Sequence, residues 1–180
     1  MPEYGRWLNK TYGRDYEIYS TNGRSGFGGA IISAWSLLDE TPYVFHLEDD
    51  FVINEPIDLF AMMRVLDNNS HLVQMALRRQ AWNDDEKRAG GIVELDPNSF
   101  EEKTDGINTW LEHRKFFTTN PSLYSRNLTI ENPWPVGINS EGRYGISLFE
   151  GTNLRSGYWG AKVGKPKCTH IGDYREGDGY

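Results

Sequence analysis

Three consecutive carboxylates, Glu48, Asp49 and Asp50, stand directly behind the apolar and aromatic run Tyr43-Val44-Phe45. Like charges side by side repel, and a carboxylate taken out of water without a partner is strongly disfavoured. The cluster therefore predicts a cation or hydrogen-bond donors close by. Read alone, the triplet fits equally well a solvated turn with an acidic helix start just beyond it. Three other groups carry chemistry of their own: His170 in "KCTHIG", Glu141 in "NSEGRYG" and Arg24 in "NGRSGFGG". Each has an ordinary structural reading beside it. A lone histidine is more often a hydrogen-bonded structural residue than a ligand. Ser140 followed by Glu141 is a common helix start, the glutamate being favoured by the helix dipole. The Gly-rich segment lacks the Lys and Ser or Thr of a phosphate-binding P-loop, which leaves a turn and a helix start. Trp134 and Trp159 offer flat faces to a sugar, although core packing is the commoner use of tryptophan.

These groups need elements to hold them. The segment "SGFGGAIISAWSLLDE" has apolar residues at helical spacing and predicts a helix from about Gly28 to Leu38. "PYVFHLE" reads as a short buried strand. In "EPIDLFAMMRVLDNN", Pro56 marks a helix start, and Ile57, Leu59, Phe60, Met63 and Leu66 form an apolar face ending near Asn68. "HLVQMAL" reads as another strand, and the polar, Gly-terminated "RRQAWNDDEKRAGG" as a surface loop. A strand, a helix and a strand in that order predict a parallel crossover and an α/β sheet. The carboxylates then lie at the C-terminal end of their strand, the edge where open α/β sheets bind ligands. Further on, "KFFTTNPSLYSRN" predicts a short strand, a turn at Asn120 and Pro121, and a short helix. "SEGRYGISLFEG" predicts a helix capped by Ser140, with late strands in "SGYWGAKV" and "KCTHIG".

The 180 residues suit one domain, residues 1–180, able to bury a core rich in its 24 aromatic residues (6 Trp, 10 Tyr, 8 Phe). A net charge of -7 without a block of Lys and Arg argues against sequence-independent nucleic-acid binding. Cys168 is the single cysteine, which excludes an internal disulfide framework and a thiolate-rich zinc site and fits a reducing cytoplasm. The sequons at Asn9, Asn68 and Asn127 are then chance matches. The sequence has no apolar stretch of membrane-spanning length, and its first residues lack the apolar segment of a secretory signal.

Taken in order, "NGRSGFGGAIISAW", "YVFHLEDDF", "FFTTNPSLYSR", "NSEGRYGISLF" and "CTHIGDYREGDGY" resemble the later part of a family 2-like glycosyltransferase with the GT-A fold, from about Asn22 onward. The resemblance implies an α/β fold with a mixed, mostly parallel sheet flanked by helices, GT-A-like in a truncated Rossmann-like form. Residues 22–95 would form the donor and metal side, and residues 96–180 the acceptor side and tail. It implies Mn²⁺ or Mg²⁺ held at the acidic motif against the diphosphate of a nucleotide sugar, and hard carboxylate oxygens suit either ion. Asp50 would be the direct metal ligand and His170 a further one. Glu48 and Asp49 would face the ribose or donor sugar, with Arg24 and Arg175 on the phosphates. Glu141 would take the proton from the attacking hydroxyl, because a sugar hydroxyl is a poor nucleophile until that proton leaves; Asp49 is counted with it among the catalytic groups. The activity implied is transfer of a sugar from a nucleotide diphosphate donor to a hydroxyl acceptor, with inversion; the single cysteine is what points to the cytoplasm.

Members of the resembled family usually open with a strand and turn that grip the nucleotide base. Here about twenty residues precede Asn22; "YEIYSTNG" is a candidate for the second strand, and nothing resembles the first. A trimmed enzyme, one half of a split enzyme needing a partner chain, and a sugar- or nucleotide-binding relic without catalysis each fit that departure. A sheet lacking its first strand leaves an edge that proteins normally cover, so a partner chain or a homo-oligomer is expected there. A metal-dependent phosphate-ester hydrolase is a further reading of carboxylates at a strand end, one that calls for more His or Asp ligands than the 4 His here suggest.

Overall fold

The structure is a computed structural model and describes residues 26–38 and 40–172. Its strands are β1 (Tyr43–His46), β2 (Phe51–Ile53), β3 (Leu72–Ala76), β4 (Glu101–Thr104), β5 (Thr109–His113), β6 (Ser122–Ser125), β7 (Arg155–Trp159) and β8 (Cys168–His170). The helices are α1 (Gly26–Ser36), α2 (Leu59–Asn68), α3 (Asp84–Ala89), α4 (Ile92–Leu95), α5 (Arg126–Glu131) and α6 (Ser140–Phe149). Six strands form one sheet in the order β1-β6-β3-β7-β5-β4, and β2 pairs with β8 in a separate ribbon.

All five residues of β3 are buried, as a strand with cover on both faces requires. Side-chain alternation assigns the two faces. Leu123 of β6 joins Met62, Val65 and Leu66 of α2 in one core. Its neighbour Tyr124 joins Ile31 of α1, Leu128 of α5, and Tyr144 and Leu148 of α6 in the other. A third cluster around Val93, Phe100, Leu111 and Tyr158 closes the end of the sheet bearing β5 and β7. Helices thus flank a mixed sheet, and among the described residues no helix is long and apolar enough to cross a membrane.

The parallel content is smaller than expected. β3 and β7 are the parallel neighbours, while β1–β6, β6–β3, β7–β5 and β5–β4 are antiparallel. The crossover from β1 through α2 to β3 does make those two strands codirectional, but β6 enters between them and runs against both. Other expectations shift locally. Asp58 caps α2 by accepting from the Ala61 N–H at 2.9 Å, so the helix begins beyond Pro56. The strand in "KFFTTNPSLYSRN" follows Asn120 and Pro121 rather than preceding them. The segment read as a surface loop contains α3, capped by Asn83, acidic in its first turn, basic in its last, and ended by Gly90 in the left-handed region. The hairpin of β4 and β5 turns on Asp105, whose Oδ1 accepts the N–H groups of Ile107 (2.9 Å) and Asn108 (2.6 Å).

Asn139, at φ 51°, takes the position before α6 without a side-chain capping bond, and Ser140, expected as the cap, is the first helical residue, its hydroxyl buried without a hydrogen-bond partner among the described residues. The approach of α6 to the segment before β6 depends on Gly145, where a Cβ would lie 2.8 Å from the Phe117 backbone nitrogen. Backbone cannot yield as a flexible side chain does, so a methyl there forces the helix outward. Gly145→Ala is expected to lower stability by about 1–3 kcal/mol in chemical denaturation despite the better helix propensity of alanine. An unchanged midpoint would show that α6 has room to move.

Candidate functional site

The acidic triplet does not act as one patch. β1 ends at His46, and the chain turns through Asp49 and Asp50, with the Phe51 N–H donating to the Glu48 carbonyl at 3.3 Å. The turn sends the three carboxylates in different directions. Glu48 Oε1 lies 3.5 Å from His46 Nε2, Asp49 is exposed, and Asp50 Oδ2 lies 2.9 Å from His170 Nε2.

The Asp50–His170 contact joins residues 120 positions apart, and the β2–β8 ribbon makes it. Phe51 sits opposite His170 in the antiparallel register, and the Ile171 N–H donates to the Asp50 carbonyl at 2.8 Å. Gln80 holds the other side of β8: its amide donates to the His170 carbonyl at 2.8 Å and its oxygen accepts the His170 N–H at 2.9 Å. The imidazole lies between Phe51 and Trp82, with ring centroids 4.8 and 4.3 Å away. At Gly172 a Cβ would stand 2.6 Å from Asp50 Oδ2, so glycine is what leaves the carboxylate its place.

Trp82 is set by a buried carboxylate on α3. Burial would raise the pKa of Glu86. Two hydrogen bonds from the Arg79 guanidinium (2.7 and 3.2 Å), one from the Trp82 N–H (2.9 Å) and one from the Asn83 amide (3.1 Å) outweigh that and hold it below the ordinary value.

Glu141 stands at the start of α6, and its Oε1 accepts from the Thr119 N–H at 2.6 Å and the Thr119 hydroxyl at 2.8 Å. Desolvation raises its pKa above the ordinary 4.5; the Thr119 hydrogen bonds oppose the rise, the charge of Glu48 adds to it and His46 opposes it. Glu48 and His46 are thus close enough for Glu141 to feel both. A carboxylate with a raised pKa is a better proton acceptor than a free glutamate while remaining largely ionised above its midpoint.

The structure therefore brings Asp50 to His170 and places Glu48 and Glu141 within electrostatic reach of one another. Arg24 and Arg175 lie outside the described residues. Trp134 is buried in the aromatic core, stacked on Tyr144 at 4.7 Å, and so offers no open face to a sugar, while Trp159 is half-buried against the α2 core. Sequence reasoning missed Thr119, His46, Gln80 and Trp82. For Trp82 a signal was present in Asn83, the acid-then-base order of α3 and Gly90. Thr119 and Gln80 act only through tertiary contacts.

Asp50 and His170 also have the chemistry for a divalent cation. Asp50 Oδ1 and His170 Nδ1 are buried without hydrogen-bond partners among the described residues, a carboxylate oxygen and an imidazole nitrogen of the kind Mn²⁺ accepts. Among the described residues no group of three or more His, Cys, Asp or Glu side chains is arranged to hold an ion unaided. No protein-family model matches the chain, and no curated protein matches it.

The raised pKa of Glu141 has a thermodynamic sign. Its contribution to stability is complete below the ordinary 4.5 and is lost as pH rises through the higher folded value, because the unfolded chain ionises first. Glu141→Gln keeps an oxygen for Thr119 and removes the ionisation. The melting temperature of the variant, measured against wild type across pH, is expected to gain ground from acidic to neutral pH. A constant difference would place Glu141 in water.

Proposed function

We propose that this protein is a metal-dependent glycosyltransferase with a GT-A-like fold, moving a sugar from a nucleotide diphosphate donor to a hydroxyl acceptor with inversion. The observation that carries the reading is that Glu141, desolvated and held by Thr119, lies by the same strand end from which Asp50 reaches His170. These residues come from distant parts of the chain, and the resemblance is what assigns them these roles.

In this reading Glu141 accepts the proton of the acceptor hydroxyl as its oxygen attacks the anomeric carbon. The new carbon–oxygen bond forms while the bond to the diphosphate breaks, and the leaving diphosphate departs with the electron pair. Thr119 fixes one carboxylate oxygen and leaves the charge of Glu141 to be met by the arriving proton. Asp50 and His170 would hold Mn²⁺ or Mg²⁺, which when bound neutralises charge on the leaving diphosphate. Asp49, exposed beside them, and Glu48 would meet the ribose or donor sugar. Arg24 and Arg175 belong to the phosphate contacts of the same proposal. Among the described residues β1 has a neighbour on one side only, and a partner chain or a second copy is assigned to the other.

The test is calorimetric titration of the chain with a panel of nucleotide diphosphates and nucleotide sugars, with Mn²⁺ and with chelator. Metal-dependent binding of one nucleotide is expected, lost by at least tenfold in Asp50→Asn with the fold retained by circular dichroism. Equal binding by that variant removes Asp50 from the metal site. Absence of binding by the folded wild-type chain overturns the donor site.

A further inference from the structure

His46 is not used by the function proposed above, yet it sits at the centre of a polar chain that runs from the aromatic core to the acidic turn. The Trp35 indole donates to the Tyr124 hydroxyl at 3.0 Å, and that hydroxyl lies 3.4 Å from His46 Nδ1. An indole N–H can only donate, so the Tyr124 oxygen is the acceptor there and its own proton is left to find a partner. Tyr124 is 1% exposed, and among the described residues its one other hydrogen-bonding contact is His46 Nδ1. A buried hydroxyl proton without an acceptor is disfavoured, so Tyr124 donates and Nδ1 accepts. The proton of the neutral imidazole then resides on Nε2, which is buried without a hydrogen-bond partner among the described residues and stands 3.5 Å from Glu48 Oε1. The groups that face this imidazole are Tyr124 on β6 and Glu48 beyond β1, and Glu141 on α6, bonded to Thr119 just before the β6 residue that pairs with His46, feels its charge.

We propose that His46 is a positioning residue, locked by Trp35 and Tyr124 as the Nε2–H tautomer so that it presents a donor to Glu48 and holds that carboxylate away from Glu141. Its place in catalysis rests on the reading of Glu141 as the base. A Glu48 released toward Glu141 would strengthen the repulsion between the two carboxylates and keep Glu141 protonated over a wider pH range. The lock also works in one direction. Were Nδ1 protonated instead, Tyr124 would face a second donor and Glu48 would face a lone pair, a mismatch at both ends of the ring.

The experiment is long-range ¹H–¹⁵N NMR on the full chain labelled at histidine nitrogen, with the His46 signals assigned as those lost in His46→Gln. At a pH above the imidazole range, wild-type His46 is expected to show an acceptor-type Nδ1 and a protonated Nε2, and Tyr124→Phe to lose that fixed pattern. A protonated Nδ1 in wild type overturns the lock. The second readout is the titration of the Glu141 side-chain carbon. His46→Phe is expected to move its midpoint upward, whereas His46→Gln, whose amide supplies a donor in place of Nε2–H, leaves it near wild type. Equal midpoints in the two variants overturn the positioning role, and a merely structural histidine would give that result. Neither readout needs a donor or an acceptor sugar, so failure of the glycosyltransferase reading leaves both intact and is recognised separately, in the nucleotide titration.

Discussion

Carboxylates drawn out of water must find donors, and the described part of this molecule is arranged around meeting that demand. Glu86 is 3% exposed and takes four nitrogen donors; Glu112, equally buried, takes the Trp110 indole at 3.1 Å, His71 at 3.0 Å and Arg155 at 3.3 Å. Each replaces lost hydration with fixed hydrogen bonds, and each thereby pins secondary structure, α3 in the first case and the packing of β5 against β7 in the second. Glu141 is compensated less fully. Two bonds from one threonine leave its pKa raised, short of the compensation that Glu86 receives.

The position of Thr119 decides that incomplete compensation, and Thr119 depends on how close α6 lies to the strand-free segment before β6. Gly145 sets the approach through its contact with the Phe117 backbone, two residues before Thr119. Packing and chemistry are therefore linked through one missing side chain. Beneath the same helix, Trp134, Tyr144, Phe117 and Trp35 form a network of ring contacts that fixes Tyr124, and through it His46. The aromatic residues that composition reserved for the core thus extend their influence to the acidic turn.

Those features were unequally legible in the sequence. β1, α2, β3 and α6 carry apolar patterns strong enough to be read from spacing, because each has a face buried against the sheet or a helix. β4 is "EEKT" and α3 is "DDEKRA", segments with no apolar periodicity, held instead by a hairpin turn and by Arg79 acting from outside the helix. The carboxylate triplet announced a need for compensation, but not that Glu48 and Asp50 would satisfy it separately. Asp50 and His170 were paired by resemblance to glycosyltransferases and not by spacing, since the register of β2 on β8 is a tertiary fact. His46 was hidden by its own strand, where a half-buried imidazole looks like any other strand residue.

The β2–β8 ribbon adds a mechanical consequence. Asp50 and His170 share one small piece of structure, joined to the main sheet by the Arg79–Cys168 bridge, the Lys167 N–H to the Arg78 carbonyl and the Gln80 amide. Glu141 belongs to another piece, anchored through α6. The spacing within the Asp50–His170 pair and the gap from that pair to Glu141 are consequently two separate dimensions. A substitution under the ribbon would move the pair relative to Glu141 while the spacing within the pair, set by the β2–β8 register, stays as it is.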